Sequence, residues 1–149
     1  MAIIAAAPLL LAGNSAPEPQ GAAERGEANL IVTVTGLRSA KGMLRGCLTR
    51  NPAFFPNCDK DPNSLKESMP AAASARLHFT GMPSGDYALS ILHDENANAK
   101  LDTMLGIPKE GVGFSENPRL RFSAPKFDAA RFHMGTSDIS KTVKIKYFL

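Results

Sequence analysis

Residues able to do chemistry concentrate between His93 and Asn117, in the stretch HDENANAKLDTMLGIPKEGVGFSEN. Asp94, Asn96, Asn98 and Asp102 occupy the first, third, fifth and ninth positions of a D-x-[DN]-x-[DN] calcium loop. Lys100 holds the seventh, where only a backbone carbonyl is used. A hard cation needs several oxygens brought round one point by a tight loop, and this spacing supplies them. Two positions depart from the pattern: Ala99 stands where glycine makes the sharp turn, and Leu105 where a bidentate glutamate closes the shell, leaving Glu95 or Glu110 to complete it. With only Asp94 and Asp102 as carboxylates in the motif, the expected calcium affinity is weak, on the order of 0.1–1 mM. The alternative is that the Asp and Asn side chains accept hydrogen bonds from nearby backbone amides as Asx turns, with no ion.

Enzymatic chemistry is less well supplied. Gly106 to Val112 imitates the opening of a phosphate loop, but Val112-Gly113 replaces the Lys-Ser/Thr that such a loop needs. His93, Asp94 and Glu110 offer a base and carboxylates for a hydrolase, and Ser115 offers a nucleophile for His93, yet no motif fixes their geometry. A transition metal would need His78 or His133 beside His93, and both lie on other segments. Phe114, in a Gly-Val-Gly-Phe turn, is expected to stack on a sugar or dock a peptide if exposed, and to fold back on the core otherwise. His93, Glu95, Glu110, Phe114 and Ser115 are therefore the ligand-binding candidates, and no catalytic residue is assigned.

The rest of the chain must position this stretch. At 149 residues there is room for a single domain with a core, and a net charge of +3 without any Lys/Arg block leaves no nucleic-acid footprint. Residues 1–16, MAIIAAAPLLLAGNSA, are apolar but too short to span a bilayer; they read as a signal peptide that sends the protein to the periplasm or outside the cell. Residues 17–28 form a small, polar linker, and the domain proper is placed at 29–149. No membrane span is expected.

With 11 prolines and 12 glycines, and no long stretch of helical apolar period, the elements read as strands. Apolar–polar alternation predicts them over 29–35, 43–48, 75–80, 86–92, 130–134 and 142–148, with a short one at 120–122. Arg38 to Gly42 and Gly81 to Gly85 are the turns of two expected hairpins. The segment 51–73 carries Pro52, Pro56, Pro62 and Pro70 and reads as a long connection, in which 64–69 forms a helical turn or an edge strand. Cys47 and Cys58, the only cysteines, would tie that connection down in an oxidising compartment; the alternative is two separate thiols. An all-β, antiparallel sandwich of about seven short strands follows, immunoglobulin-like, with a long loop over 93–118.

Two resemblances sharpen this. Phe79-Thr80-Gly81-Met82-Pro83-Ser84-Gly85-Asp86-Tyr87 resembles the F-x-x-L-P-x-G-x-Y hairpin of prealbumin-like and carboxypeptidase-regulatory-like sandwich domains. There Tyr87 would pack at a sandwich corner with its hydroxyl bonded to backbone. Gly36-Leu37-Arg38, the hairpin from Met82 to Ala88, HDENANAKLD and LGIPKEGVGFSEN together resemble the bacterial domain-of-unknown-function family 2141, exported proteins of about this size. Its H-D-x-N-x-N-G-x-x-D form is met at His93, Asp94, Asn96, Asn98 and Asp102 and departed from at Ala99. The resemblance covers 29–149 and implies a secreted or periplasmic β-sandwich with no established activity. The expected function is an exported, non-enzymatic module that meets an unknown protein or glycan at the cell envelope through the polar loop, with calcium as a structural ion. The alternative is an envelope hydrolase built on His93, Asp94 and Glu110.

Overall fold

The computed structural model describes Gly13, residues 26–121 and residues 123–149. The leader read at 1–16 and most of the linker at 17–28 thus lie outside the described residues, as does Phe122; Leu120 and Arg121 are not in a strand. The chain is all-β, as alternation predicts. Its strands are β1 (Glu27–Thr35), β2 (Met43–Thr49), β3 (Leu65–Pro70), β4 (Arg76–Pro83), β5 (Gly85–Asp94), β6 (Thr103–Met104), β7 (Ile107–Pro108), β8 (Gly111–Phe114), β9 (Phe132–Met134) and β10 (Ile139–Lys144), with one helical turn, α1 (Phe127–Ala130), before β9. β1 starts two residues ahead of the expected boundary at Asn29, because Ala28 is already packed in the core. Among the described residues no helix is long and apolar enough to cross a membrane.

Two sheets face each other. The first is ordered β10-β1-β4 and the second β3-β2-β5-β8, with β9 paired to the start of β5 and β6-β7 standing as a separate hairpin. Leu30, Val32, Val34, Leu77 and Phe79 of the first sheet share one core with Leu44, Leu48, Leu89 and Ile91 of the second. Gly46 shows how closely the sheets approach, since a Cβ there would stand 2.9 Å from Leu77 Cδ1 and 3.1 Å from Phe79 Cζ.

Neither expected hairpin forms. β1 and β2, and likewise β4 and β5, are consecutive in sequence but belong to opposite sheets. Each of these strands has a buried face, and two such faces can be matched across the core as well as edge to edge; alternation alone does not choose. The second of these connections is the corner that the resemblance implied: Tyr87 is buried and its hydroxyl donates to the Pro83 carbonyl at 2.7 Å. The sandwich is also not wholly antiparallel, because β1 pairs parallel with β10, Leu30 opposite Ile139 through Thr35 opposite Lys144. The stretch 93–118 is not one loop either: β5 runs on to Asp94, and β6, β7 and β8 lie within it. The segment 64–69 resolves as the edge strand β3.

The last residues close the fold. Beyond β10, Val112 and Lys146 exchange two backbone hydrogen bonds of 2.9 Å, so the chain crosses from β1 in the first sheet to β8 at the edge of the second. Gly111 and Gly113 make this possible: a Cβ on Gly111 would lie 2.4 Å from both Ile145 Cγ2 and Tyr147 Cε1, and one on Gly113 2.8 Å from Val143 Cγ1. Their absent side chains are the space that the C-terminal residues fill.

Cys47 on β2 and Cys58 in the proline-rich connection form a disulfide. Asp61 holds the same connection, accepting from the Thr49 hydroxyl at 2.5 Å and from the Asn63 amide at 2.9 Å. Replacing both cysteines by alanine is expected to cost about 3 kcal/mol and lower the melting temperature by roughly 10 °C, measured calorimetrically against the oxidised parent.

Candidate functional site

His93 and Asp94 end β5, and because successive strand residues point to opposite faces they do different work. His93 turns into the core and is fully buried. Its Nε2 lies 2.8 Å from the Lys41 carbonyl, which only accepts, so Nε2 carries the proton; Nδ1 meets the Tyr147 hydroxyl at 2.7 Å. That hydroxyl in turn accepts the Arg38 amide at 3.2 Å. The imidazole thereby ties the turn before β2 to the C-terminal residues. Gly42 is obligatory beside it, at φ +70, since a Cβ there would stand 2.0 Å from the Asp94 carbonyl oxygen.

Asp94 turns outward and is equally buried. One carboxylate oxygen accepts from Arg45 Nε at 2.7 Å and from the Ala99 amide at 2.8 Å; the other accepts from the Asn98 amide at 3.1 Å. Burial alone would push this carboxyl up, yet Arg45 and the two amides together hold it below the usual aspartate value. Asn96 and Asn98 give their side-chain oxygens to the Asn98 and Lys100 amides, as Asx turns do, and both aim their amide nitrogens at one oxygen of Asp102, at 2.8 and 2.9 Å. The oxygens expected as cation ligands therefore do not share a centre: those of Asn96 and Asn98 are taken by backbone amides, the groups that meet Asp102 are N–H donors, and Asp94 is engaged by Arg45. Ala97 and Ala99 both sit in the left-handed region, at φ 55 and 62. The turn that glycine would make is made by alanine under strain.

Glu95 bonds Arg38, with Nε at 2.9 Å, and the Ser39 hydroxyl at 2.8 Å; the Arg38 contact holds its carboxyl below the usual range. Glu110 is buried and accepts the Asp102 amide at 3.3 Å. Its burial, reinforced by the neighbouring Asp94 and Asp102 charges, holds its carboxyl above the usual range. Ser115 is buried too, donating to the Ala130 carbonyl and accepting the Leu89 amide at 2.9 Å. His93 and Ser115 therefore do not face one another, and neither reaches solvent; no nucleophile–base pair is assembled. Phe114 is corrected as well: it lies within β8, only 7% exposed, edge-on to Phe55 at 5.8 Å.

The open feature lies on the outer face of the second sheet. There Arg45 stands opposite Leu92 and Cys47 opposite Ser90, with Val112 and Phe114 of β8 opposite Leu92 and Ser90 on the other side. One end of this face is covered, since Phe55, Leu120, Phe127 and Ala130 pack over Ala88 and Phe114. The remainder is a groove of about 1020 Å³, lined also by Lys100, Leu101, the β6-β7 hairpin and the disulfide-tied connection. Of the candidates read from sequence, Phe114 and Lys100 line it.

The large apolar residues left exposed among the described residues are Leu101, Met104, Leu105, Phe148 and Leu149. Leu101, Leu105 and Phe148 line the groove, and Met104 and Leu149 are their chain neighbours. Leu105 is 97% exposed and held at φ 51 in the β6-β7 turn, a conformation that asparagine or glycine takes with less strain. Arg45 and this hairpin tip were missed in the sequence. Arg45 fits an outward position in β2, and Leu105 precedes a glycine in a turn, but nothing local marks either as part of a groove.

The profile of a bacterial family, described as an uncharacterized protein conserved in bacteria (DUF2141), matches residues 32–142. The chain belongs to that family. The match takes in the whole of β5, the 95–102 loop, the β6-β7 hairpin and β8, and so all of the geometry that organises the groove's wall. No curated protein and no solved structure matches the chain. Among the described residues, no three His, Cys, Asp or Glu side chains stand together as a metal-holding group.

Two measurements probe this site. Ala99→Gly removes the left-handed alanine while keeping the amide on Asp94, and is expected to raise stability by about 1 kcal/mol, read from the denaturant midpoint. The opposed carboxyl shifts set the pH profile. Glu110, raised, contributes fully below its ordinary value of 4.5, and the contribution is lost as pH rises through its higher folded value. Asp94 and Glu95, lowered, contribute above their ordinary values of 3.8 and 4.5, and that is lost as pH falls through their lower folded values. Acidifying from neutral pH is expected first to raise the melting temperature and then, below about pH 4, to lower it. Glu110→Gln abolishes the rise and keeps the fall.

Proposed function

We propose that this chain is an exported, non-enzymatic β-sandwich module that binds a partner through the groove on the outer face of its second sheet. The observation that carries the reading is the placement of the exposed apolar residues. Isolated apolar side chains are ordinary on a surface, but here Leu101, Leu105 and Phe148 are gathered on one concavity. Leu105 is held there at a backbone cost, since the two-residue β6-β7 turn demands a positive φ that asparagine or glycine would take with less strain. The polar loop serves as the wall, braced by Asp94 and Asp102, and its Asp and Asn residues organise backbone for that purpose. The finer parts of the reading are proposals of the same kind. An envelope location is supported by the apolar N-terminal run, and a structural calcium ion by the D-x-[DN]-x-[DN] spacing of Asp94, Asn96 and Asn98 alone.

The uncharged fluorescent probe N-phenyl-1-naphthylamine tests the groove directly. The full chain is expected to enhance its emission, and Leu92→Lys on the floor or Leu105→Asp on the rim to abolish most of that enhancement with the melting temperature nearly unchanged. Equal enhancement by the parent and both variants would place the apolar site elsewhere and defeat the proposal.

A further inference from the structure

Resting on the groove reading, we infer the chemical class of its occupant: an apolar chain that ends in an anionic group, such as a long-chain carboxylate, with the acid end on Arg45. Charge complementarity carries this. The lining holds Arg45, Lys66, Lys100 and Arg121 against one carboxylate, Asp59, and even with Asp94 beneath Arg45 the cations outnumber the anions. Asp59 stands 3.6 Å from Lys66, whereas Lys100 and Arg121 have no ion-pair partner among the described residues.

Arg45 is the prepared anchor. Its Nε donates to Asp94, whose carboxylate is itself clamped by the Asn98 and Ala99 amides, so the guanidinium is oriented before any ligand arrives. Its terminal nitrogens make no hydrogen bond to the described residues and belong to a side chain that lines the groove. A planar guanidinium fork fits a carboxylate, and one already fixed loses little freedom on binding. Around it Leu92, Val112, Leu101, Leu105 and Ile107 supply an apolar run that asks for hydrocarbon rather than for a polar chain. A glycan would leave these residues unmatched, and a cationic ligand would face an excess of like charge.

The test displaces bound N-phenyl-1-naphthylamine from the full chain with decanoate and with decyltrimethylammonium, two probes of equal tail length and opposite charge, both kept below their micelle concentrations. Decanoate is expected to act at a concentration at least about tenfold lower, as one charge-assisted contact warrants. The double variant Lys100→Glu with Arg121→Glu, exposed positions that carry no fold contact of note, should still bind the fluorescent probe but show a smaller preference, Arg45 remaining as the anchor; an unchanged preference counts against the charge complementarity. Equal displacement by the two probes overturns the anionic inference and leaves the groove reading standing. Absence of any probe binding overturns both. A concentration-dependent dimer on gel filtration that excludes the probe makes this face an interface between copies, and overturns the inference likewise.

Discussion

The end of β5 is the constraint on which the rest depends. Two adjacent residues there are both buried and point in opposite directions, His93 into the sandwich and Asp94 out of it. The period of the strand forces that division, and each residue meets partners far off in sequence. His93 reaches Lys41 and Tyr147, so the turn before β2 and the C-terminal residues are fastened to the same point. Asp94 reaches Arg45 and gathers the amides of the following loop. A buried carboxylate deprived of Arg45 would be an uncompensated charge, which is far more costly than an exposed pair is favourable. Core closure and loop shape therefore share one anchor.

From that anchor the groove follows. Once Asp94 has set the course of the loop, the backbone of Asp102 bonds Lys109 and Glu110, and the β6-β7 hairpin between them has nowhere to go but outward, carrying Leu105 into solvent. Meanwhile Gly111 and Gly113 leave the inner side of β8 empty for Val143, Ile145 and Tyr147, so β8 lies flat against β5 and extends the outer face. The aromatic cluster of Phe55, Phe114 and Phe127 covers one end of that face only. The result is an apolar sheet surface covered at one end by aromatics and rimmed at the other by exposed leucines.

The dense stretch from His93 to Asn117 gains a different meaning here. Its histidine, serine and carboxylates look catalytic when written in a line, yet the histidine and the serine are pins inside the fold, Ser115 binding Leu89 to Ala130 and His93 binding the turn before β2 to the C-terminal residues. Its glycines are vacated space for another strand. Ala99 marks the local cost of the arrangement, since its amide is needed on Asp94 and its backbone must turn left-handed to deliver it.

What the sequence determined by itself was everything governed by neighbours along the chain. Alternation marked β1, β2, β4, β5 and β9 but put the last strand at 142–148, where β10 spans Ile139–Lys144, and it left β6, β7 and β8 unread inside a loop. Asx spacing set the turns of the 94–102 loop, and the Tyr87 corner was visible in its motif. The Cys47–Cys58 bridge needed only a short separation and the absence of other cysteines. Tertiary structure alone decided which strands share a sheet, why β1 lies parallel to β10, and that Arg45 meets Asp94 across 49 positions. Those choices rest on matching whole buried faces across the core, and a face can be satisfied by any other apolar face of the right shape. For the same reason the groove was invisible: it is made by what fails to cover Leu92 and Val112, and no local pattern records a missing neighbour.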